Sequence, residues 1–91
     1  MIDPDEIDRA QIRAARALLN WNQPELASAA HIALATLKRF EIGSRTPIHA
    51  IRSAIIRALE NEGIEFFHDG TRAGVSLRTS KIKAGKKKTG K

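Results

Sequence analysis

Apolar residues recur at intervals of three and four through the first two thirds of the chain and give way to short β-prone runs after Gly63, so the pattern predicts helices followed by a hairpin. A first helix is expected from Asp3 to about Leu19. "DPDE" offers Asp3 as N-cap, Pro4 at the first helical position and Glu6 at the reciprocal capping position. Ile7, Ala14, Ala15, Leu18 and Leu19 supply its apolar stripe, and Arg9, Arg13 and Arg16 recur on another face that reads as solvated. "WNQPEL" then opens a second helix over roughly Gln23 to Ala30, with Asn22 as cap, Pro24 in the first turn, Glu25 at the capping-box position and Trp21 and Leu26 spaced as a hydrophobic staple. A third helix is expected over roughly Leu34 to Ile42, ended by Gly43.

The pattern restarts at "SRTPIHAIRSAIIRALENEG", with Thr46 as cap, Pro47 at the first helical position and Gly63 as the stop. Ile48, Ile51, Ile55 and Leu59 form one stripe able to cover the first three helices, and Ile56 broadens it. "IEFF" and "GVSLR" flank the turn signal Asp69-Gly70 and predict a hairpin, which needs to pack on the helices or on a second chain because two strands alone are marginal in water. From Thr79 onward the chain is lysine-rich with one large apolar residue, the composition of a disordered tail. The organisation is therefore residues 1–63 as a helical domain, 64–78 as a hairpin extension and 79–91 as the tail.

Charge sharpens this picture. Residues 1–8 carry −4, residues 9–57 +6, residues 58–77 −3 and residues 78–91 +7, together the net +6 of the 91-residue chain. A basic centre between acidic flanks, followed by a basic tail, suits a polyanionic partner. The absence of cysteine removes disulfides, thiolate nucleophiles and sulfur-ligated zinc, and an intracellular, cytoplasmic location is the default expectation. His31, His49 and His68 match no local metal motif, so neither a metal nor another cofactor is expected. An enzyme is not expected either. There is no Gly-rich phosphate loop and no Ser, His and acid grouping at a motif spacing, and Glu60, Glu62 and Glu65 read as a solvated helix end. The acidic N-terminus and the lack of a long apolar run predict a soluble chain without export signal or membrane span.

Two short helices joined by a turn, with a helix on either side, have the arrangement of a helix-turn-helix domain. The residues add to the topology. "RALLNWNQPELASAAHIALATLKRFEIGSR" resembles the lambda-repressor-like (Cro/cI, Xre-type) helix-turn-helix DNA-binding family, through the Arg of "RALL", "NQPELA", "TLKRFE" and "IGSR", over about residues 12–60. The expected fold class is thus mainly α, a four-helix lambda-repressor-like bundle with a C-terminal β-hairpin and a disordered basic tail. The resemblance implies that Gln23 contacts the DNA backbone and buttresses the base-reading side chains. It also implies that Leu34, Ala35, Lys38 and Arg39 face the major groove. Ser44 and Arg45 would hold the backbone, with Arg52 a weaker candidate, while Ile32, Leu37 and Phe40 would be core. Arg16 and Glu41 stand where many members of the family carry an ion pair between the first and third helices. The chain departs from the family pattern at His31, where the turn usually has glycine, and at Ala33, where Ser or Thr usually caps the third helix.

The function this implies is a sequence-specific transcriptional regulator, in the first instance a repressor, binding double-stranded DNA at a pseudo-palindromic operator as a homodimer. The competing expectation is a protein-interaction module, antiactivator or antitoxin-like, that uses the same fold to bind another protein; an apolar Leu34 and Ala35 suit an interface core depleted in charge.

Overall fold

A computed structural model of the chain describes residues 7–43 and 49–79. Its first helix, α1 (Arg9–Leu19), is capped by Asp8 rather than Asp3. Asp8 is extended (φ −98°, ψ 176°), its Oδ1 accepts the Gln11 N–H at 3.1 Å, and Gln11 Oε1 accepts the Asp8 N–H at 3.1 Å. This closed capping box satisfies two orphan donors, and a helix running through from Asp3 would forfeit it. The Asp3, Pro4 and Glu6 signal itself lies outside the described residues. The buried face of α1 also differs from the expected stripe. Gln11, Ile12 and Ala15 are buried and Ile7 is buried just before the helix, whereas Ala14 and Leu18 are exposed. The later start makes Ile7 and Ile12 the two positions that a hydrophobic staple pairs, and the buried face follows from them.

Helix α2 (Gln23–Ala30) starts at Asn22 with the expected capping box, Asn22 Oδ1 accepting the Glu25 N–H and Glu25 Oε1 accepting the Asn22 N–H, each at 2.8 Å. It ends at His31, in the left-handed conformation (φ 60°, ψ 43°), where glycine is usual. Three residues on, helix α3 (Leu34–Ile42) begins at Ala33, which is extended but gives no side-chain cap, and ends at Gly43 (φ 80°). Helix α4 spans His49–Glu60. Its expected start at Thr46 and Pro47, and Ile48 of its stripe, lie outside the described residues. Ile55, Ile56 and Leu59 are buried and Ile51 is half-buried, so Ile56 does join a broad core face.

Gly63 (φ 99°) turns the chain into an antiparallel hairpin of β1 (Ile64–His68) and β2 (Ala73–Leu77), in the register Ile64 to Leu77 and Phe66 to Val75. Period-two alternation puts Ile64, Phe66, Val75 and Leu77 on the face that meets the helices, and all four belong to or pack against the core cluster. The hairpin thus packs on the helices, as a marginal two-stranded element needs to. It shares one core with Ile12, Leu26, Leu37, Phe40, Ile55 and Leu59. Gln11 fixes it further, its Nε2 donating to the carbonyls of Phe67 (3.0 Å) and Gly74 (3.1 Å). The fold is mainly helical with a two-stranded antiparallel hairpin packed on it. Among the described residues, no helix is long and apolar enough to cross a membrane.

Candidate nucleic-acid interface

The geometry converges on Glu41. This residue is 4% exposed, and a buried carboxylate is costly unless donors surround it. Arg16 supplies two, Nε to Oε2 at 2.8 Å and Nη2 to Oε1 at 2.7 Å, and Gln23 Nε2 supplies a third to Oε1 at 3.0 Å. Arg16 Nη1 also donates to the Trp21 carbonyl at 3.1 Å. One carboxylate thus ties α1, the first residue of α2 and the last turn of α3 together. No buried side-chain nitrogen or oxygen among the described residues lacks a partner.

Arg13 adds a contact that the sequence did not suggest, Nη1 donating to the Glu41 carbonyl at 2.8 Å. Arg9 lies against Gly43, close enough that a Cβ at that position would meet Arg9 Nε at 3.1 Å. The stripe Arg9, Arg13 and Arg16 is therefore not simply a solvated face; it closes over the C-terminal end of α3, where cations are favoured by the helix dipole. The spacing of four and three was legible in the sequence, but what it faced was not.

Held in this way, α3 presents an exposed face of Ala35, Lys38, Arg39 and Ile42 at positions i, i+3, i+4 and i+7, with Leu37, Phe40 and Glu41 buried behind it. Leu34, expected on the exposed face, is half-buried and packs against the core. Its spacing of three and seven from Leu37 and Glu41 places it on their side of the helix. Ile32 is half-buried as well. Gln23 is half-buried, with its amide nitrogen engaged by Glu41. Ser44 and Arg45 lie outside the described residues. Arg52, the weaker backbone candidate, is turned inward: its Nη1 donates to the Ile7 carbonyl, and its guanidinium carbon sits 5.1 Å from the centroid of the Phe40 ring. Ile42, read in the sequence only as the end of a helix, is 75% exposed.

The acidic segment sits elsewhere, on the end of α4 and on the hairpin. Glu65 pairs with Arg78, and Asp69 organises the turn by accepting the Thr71 N–H (3.0 Å), the Thr71 hydroxyl (3.1 Å) and the Arg72 N–H (2.8 Å). These bonds hold the Asp69 carboxyl below its ordinary value, the Thr71 N–H first and the Arg72 N–H next. Among the described residues there is no group of three or more His, Cys, Asp or Glu able to hold a metal ion. A shallow depression beside Trp21 offers Glu25 as its acid, and that carboxylate is committed to the Asn22 cap. Compared with known proteins, the chain matches no family model and no curated relative.

Proposed function

We propose that the protein is a sequence-specific DNA-binding transcriptional regulator of the lambda-repressor-like helix-turn-helix type, acting in the cytoplasm as a homodimer on a pseudo-palindromic site. The observation that carries the reading is the exposed α3 face, on which Lys38 and Arg39 stand beside the small apolar Ala35 while the helix behind them is fixed by Glu41. Cations on a helix so anchored suit a major groove, where Arg or Lys donates to guanine O6 and N7 and small apolar side chains meet thymine methyls. In this reading Arg39 contacts a guanine, Lys38 a guanine or a phosphate, and Ala35 a thymine methyl. Leu34, half-buried, contributes at most an edge. Gln23, at the first position of α2, keeps its amide oxygen to buttress those side chains and to meet the DNA backbone; Ser44 and Arg45 serve the same backbone. One such domain makes few base contacts, so two half-sites about one helical turn apart supply the affinity.

The reading is supported further by the resemblance of residues 12–60 and by the +6 carried by residues 9–57. The second reading, a module that binds another regulator or a toxin, draws on the exposed apolar Leu18 and Phe67, which lie outside the α3 face. Titration of genomic DNA fragments at moderate salt separates the two. Sequence-selective binding supports the regulator. Binding with no sequence preference, together with capture of a protein partner through Leu18 or Phe67, supports the module.

A further inference from the structure

The hairpin has an open edge along β2. The Arg78 N–H donates to the Gly63 carbonyl and the Asp69 N–H to the Arg72 carbonyl, so in this register the ladder bonds fall on the pairs 63 with 78, 65 with 76, 67 with 74 and 69 with 72. The N–H and C=O groups of Ala73, Val75 and Leu77 therefore point away from β1, and no described residue bonds them. The other edge is less accessible, because β1 packs against α4 and its Ile64 and Phe66 are buried. Val75 and Leu77 stay half-buried although they sit on the core face, and the strand AGVSL has none of the lysines, prolines or charges that keep an exposed edge from pairing. Beside this edge, α1 packs chiefly on β2. Ala14 and Leu18 follow Gln11 by three and seven residues and share its hairpin side of α1, and with Ala10 and Ala17 they make an exposed face without charge.

We propose that β2 pairs antiparallel with β2 of a second copy of this chain, about a two-fold axis at Val75. This gives the homodimer of the proposed function its interface and rests on that part of the reading alone. The strand is complementary to itself. Pairing across Val75 sets Ala73 opposite the partner's Leu77 and Leu77 opposite the partner's Ala73, so each of the outward-facing residues exchanges both of its bonds. A different protein has to bring a matching edge, whereas a second copy supplies it by symmetry. The core faces of the two hairpins then lie on one side of a four-stranded sheet, and α1 and its copy meet beneath the axis because α1 packs on β2. Their apposed faces, Ala10, Ala14, Ala17 and Leu18, are uncharged and mostly small, which lets the helices approach closely. Copies of a chain with net charge +6 repel over much of the rest of their surface. At the ends of the strands, Arg72 and Arg78 fall opposite the partner's Arg78 and Arg72, and each is already paired within its own protomer, with Asp69 and Glu65. A five-residue edge alone is small beside the roughly 800 Å² per partner of a standard interface, so the α1 face is needed to hold the dimer, and association depends on concentration.

The test uses the full chain without DNA. Sedimentation equilibrium is expected to show monomers converting to dimers as concentration rises, with the Ala73, Val75 and Leu77 amides becoming protected from hydrogen exchange in step with the dimer. Those amides have no partner among the described residues of the monomer, so their protection reports this edge and no other surface. Ala73→Pro removes an outward N–H without touching a bond of the hairpin, and Ala14→Lys puts like charges where the α1 faces meet; both positions are exposed. Each variant should raise the concentration of half-dimerisation about tenfold or more. A wild-type chain that stays monomeric at every concentration, with these amides exchanging at one rate throughout, would overturn the proposal and leave the edge to a different protein. So would a dimer whose Val75 amide exchanges as fast as in the monomer, or one that either variant leaves unchanged, since the copies would then meet elsewhere. Selection from a random DNA library reads the DNA-binding claim separately. Enrichment of inverted half-sites by a chain that fails these tests rejects this interface alone, and a dimer that passes them but enriches no duplex rejects the DNA-binding reading alone.

Discussion

Arg16 holds Glu41 through two parallel hydrogen bonds of 2.8 and 2.7 Å, joining α1 to α3 across 25 residues of chain, and Gln23 adds α2 to the same carboxylate. Removing one partner of such a pair costs more than the pair contributes, because the other charge is left buried. Arg16→Ala is expected to destabilise the fold by about 3 kcal/mol or more, and Glu41→Ala by less, since Arg16 retains its bond to the Trp21 carbonyl and is the more exposed of the two. Replacing both with apolar residues of similar volume should recover much of the loss. Urea unfolding of the two single variants and the double variant measures this, and additive losses would show that the two residues are not coupled.

Gln11 carries a second junction. Gln11→Glu keeps the oxygen that accepts the Asp8 N–H but cannot donate to the Phe67 and Gly74 carbonyls, and it places a charge where the side chain is buried. Amide exchange in β1 and β2 should rise well above that in α3, with a global loss of roughly 2 kcal/mol. Uniform loss of protection across all elements would instead show that the hairpin and the helices open as one unit.

The turn between α2 and α3 has two stabilising substitutions available. Ala33→Ser supplies the missing side-chain cap and should add about 1 kcal/mol, a rise of roughly 4–8 °C in Tm. His31→Gly relieves a left-handed non-glycine residue at a smaller cost in unfolded-chain entropy, so its net gain should be about 0.5 kcal/mol. Differential scanning calorimetry ranks the two, and a destabilised Ala33→Ser would show that the first turn of α3 has no room for a cap.

Asp69 makes the hairpin turn sensitive to acid. A carboxyl whose folded value lies below its unfolded value contributes stability above the unfolded value and loses it as pH falls through the folded one. The Thr71 and Arg72 amide resonances are expected to move together, with a midpoint below the ordinary 3.8. Asp69→Asn should abolish that titration. A midpoint above 3.8 would mean that the three bonds to the carboxylate do not persist in solution.

Arg39→Ala should remove specific DNA binding while leaving most non-specific binding, and deletion of residues 79–91 should flatten the dependence of affinity on salt by as much as about 0.9 in log–log slope for each lysine that engages a phosphate. Equal loss of specific and non-specific binding in Arg39→Ala would reject a base-reading role. An unchanged slope on deletion would show that the tail does not touch DNA.

Elements with strong local chemistry were readable in the sequence. The Asn22 to Glu25 capping box, the glycine at 43 and the Asp69-Gly70 turn depend on residues within a few positions of one another, and each stands where the pattern put it. The start of α1 was misplaced because "DPDE" and Asp8 compete as caps, and the winner is decided by tertiary burial of Ile7, Ile12 and Gln11. The arginine stripe was misread for the same reason, and the packing of Leu34 against the core was not visible: helical spacing says which residues share a face but not what that face meets. The inward turn of Arg52 onto Phe40 and Ile7 joins segments 12 and 45 residues away, beyond the reach of any local signal.

Selection of bound duplexes from a random DNA library tests the central claim most directly. The wild-type chain should enrich a single consensus of two inverted half-sites about one helical turn apart, each with guanine contacts beside a thymine, and Arg39→Ala should fail to enrich it. Recovery of unrelated sequences at equal frequency, with affinity that depends on salt alone, would contradict it.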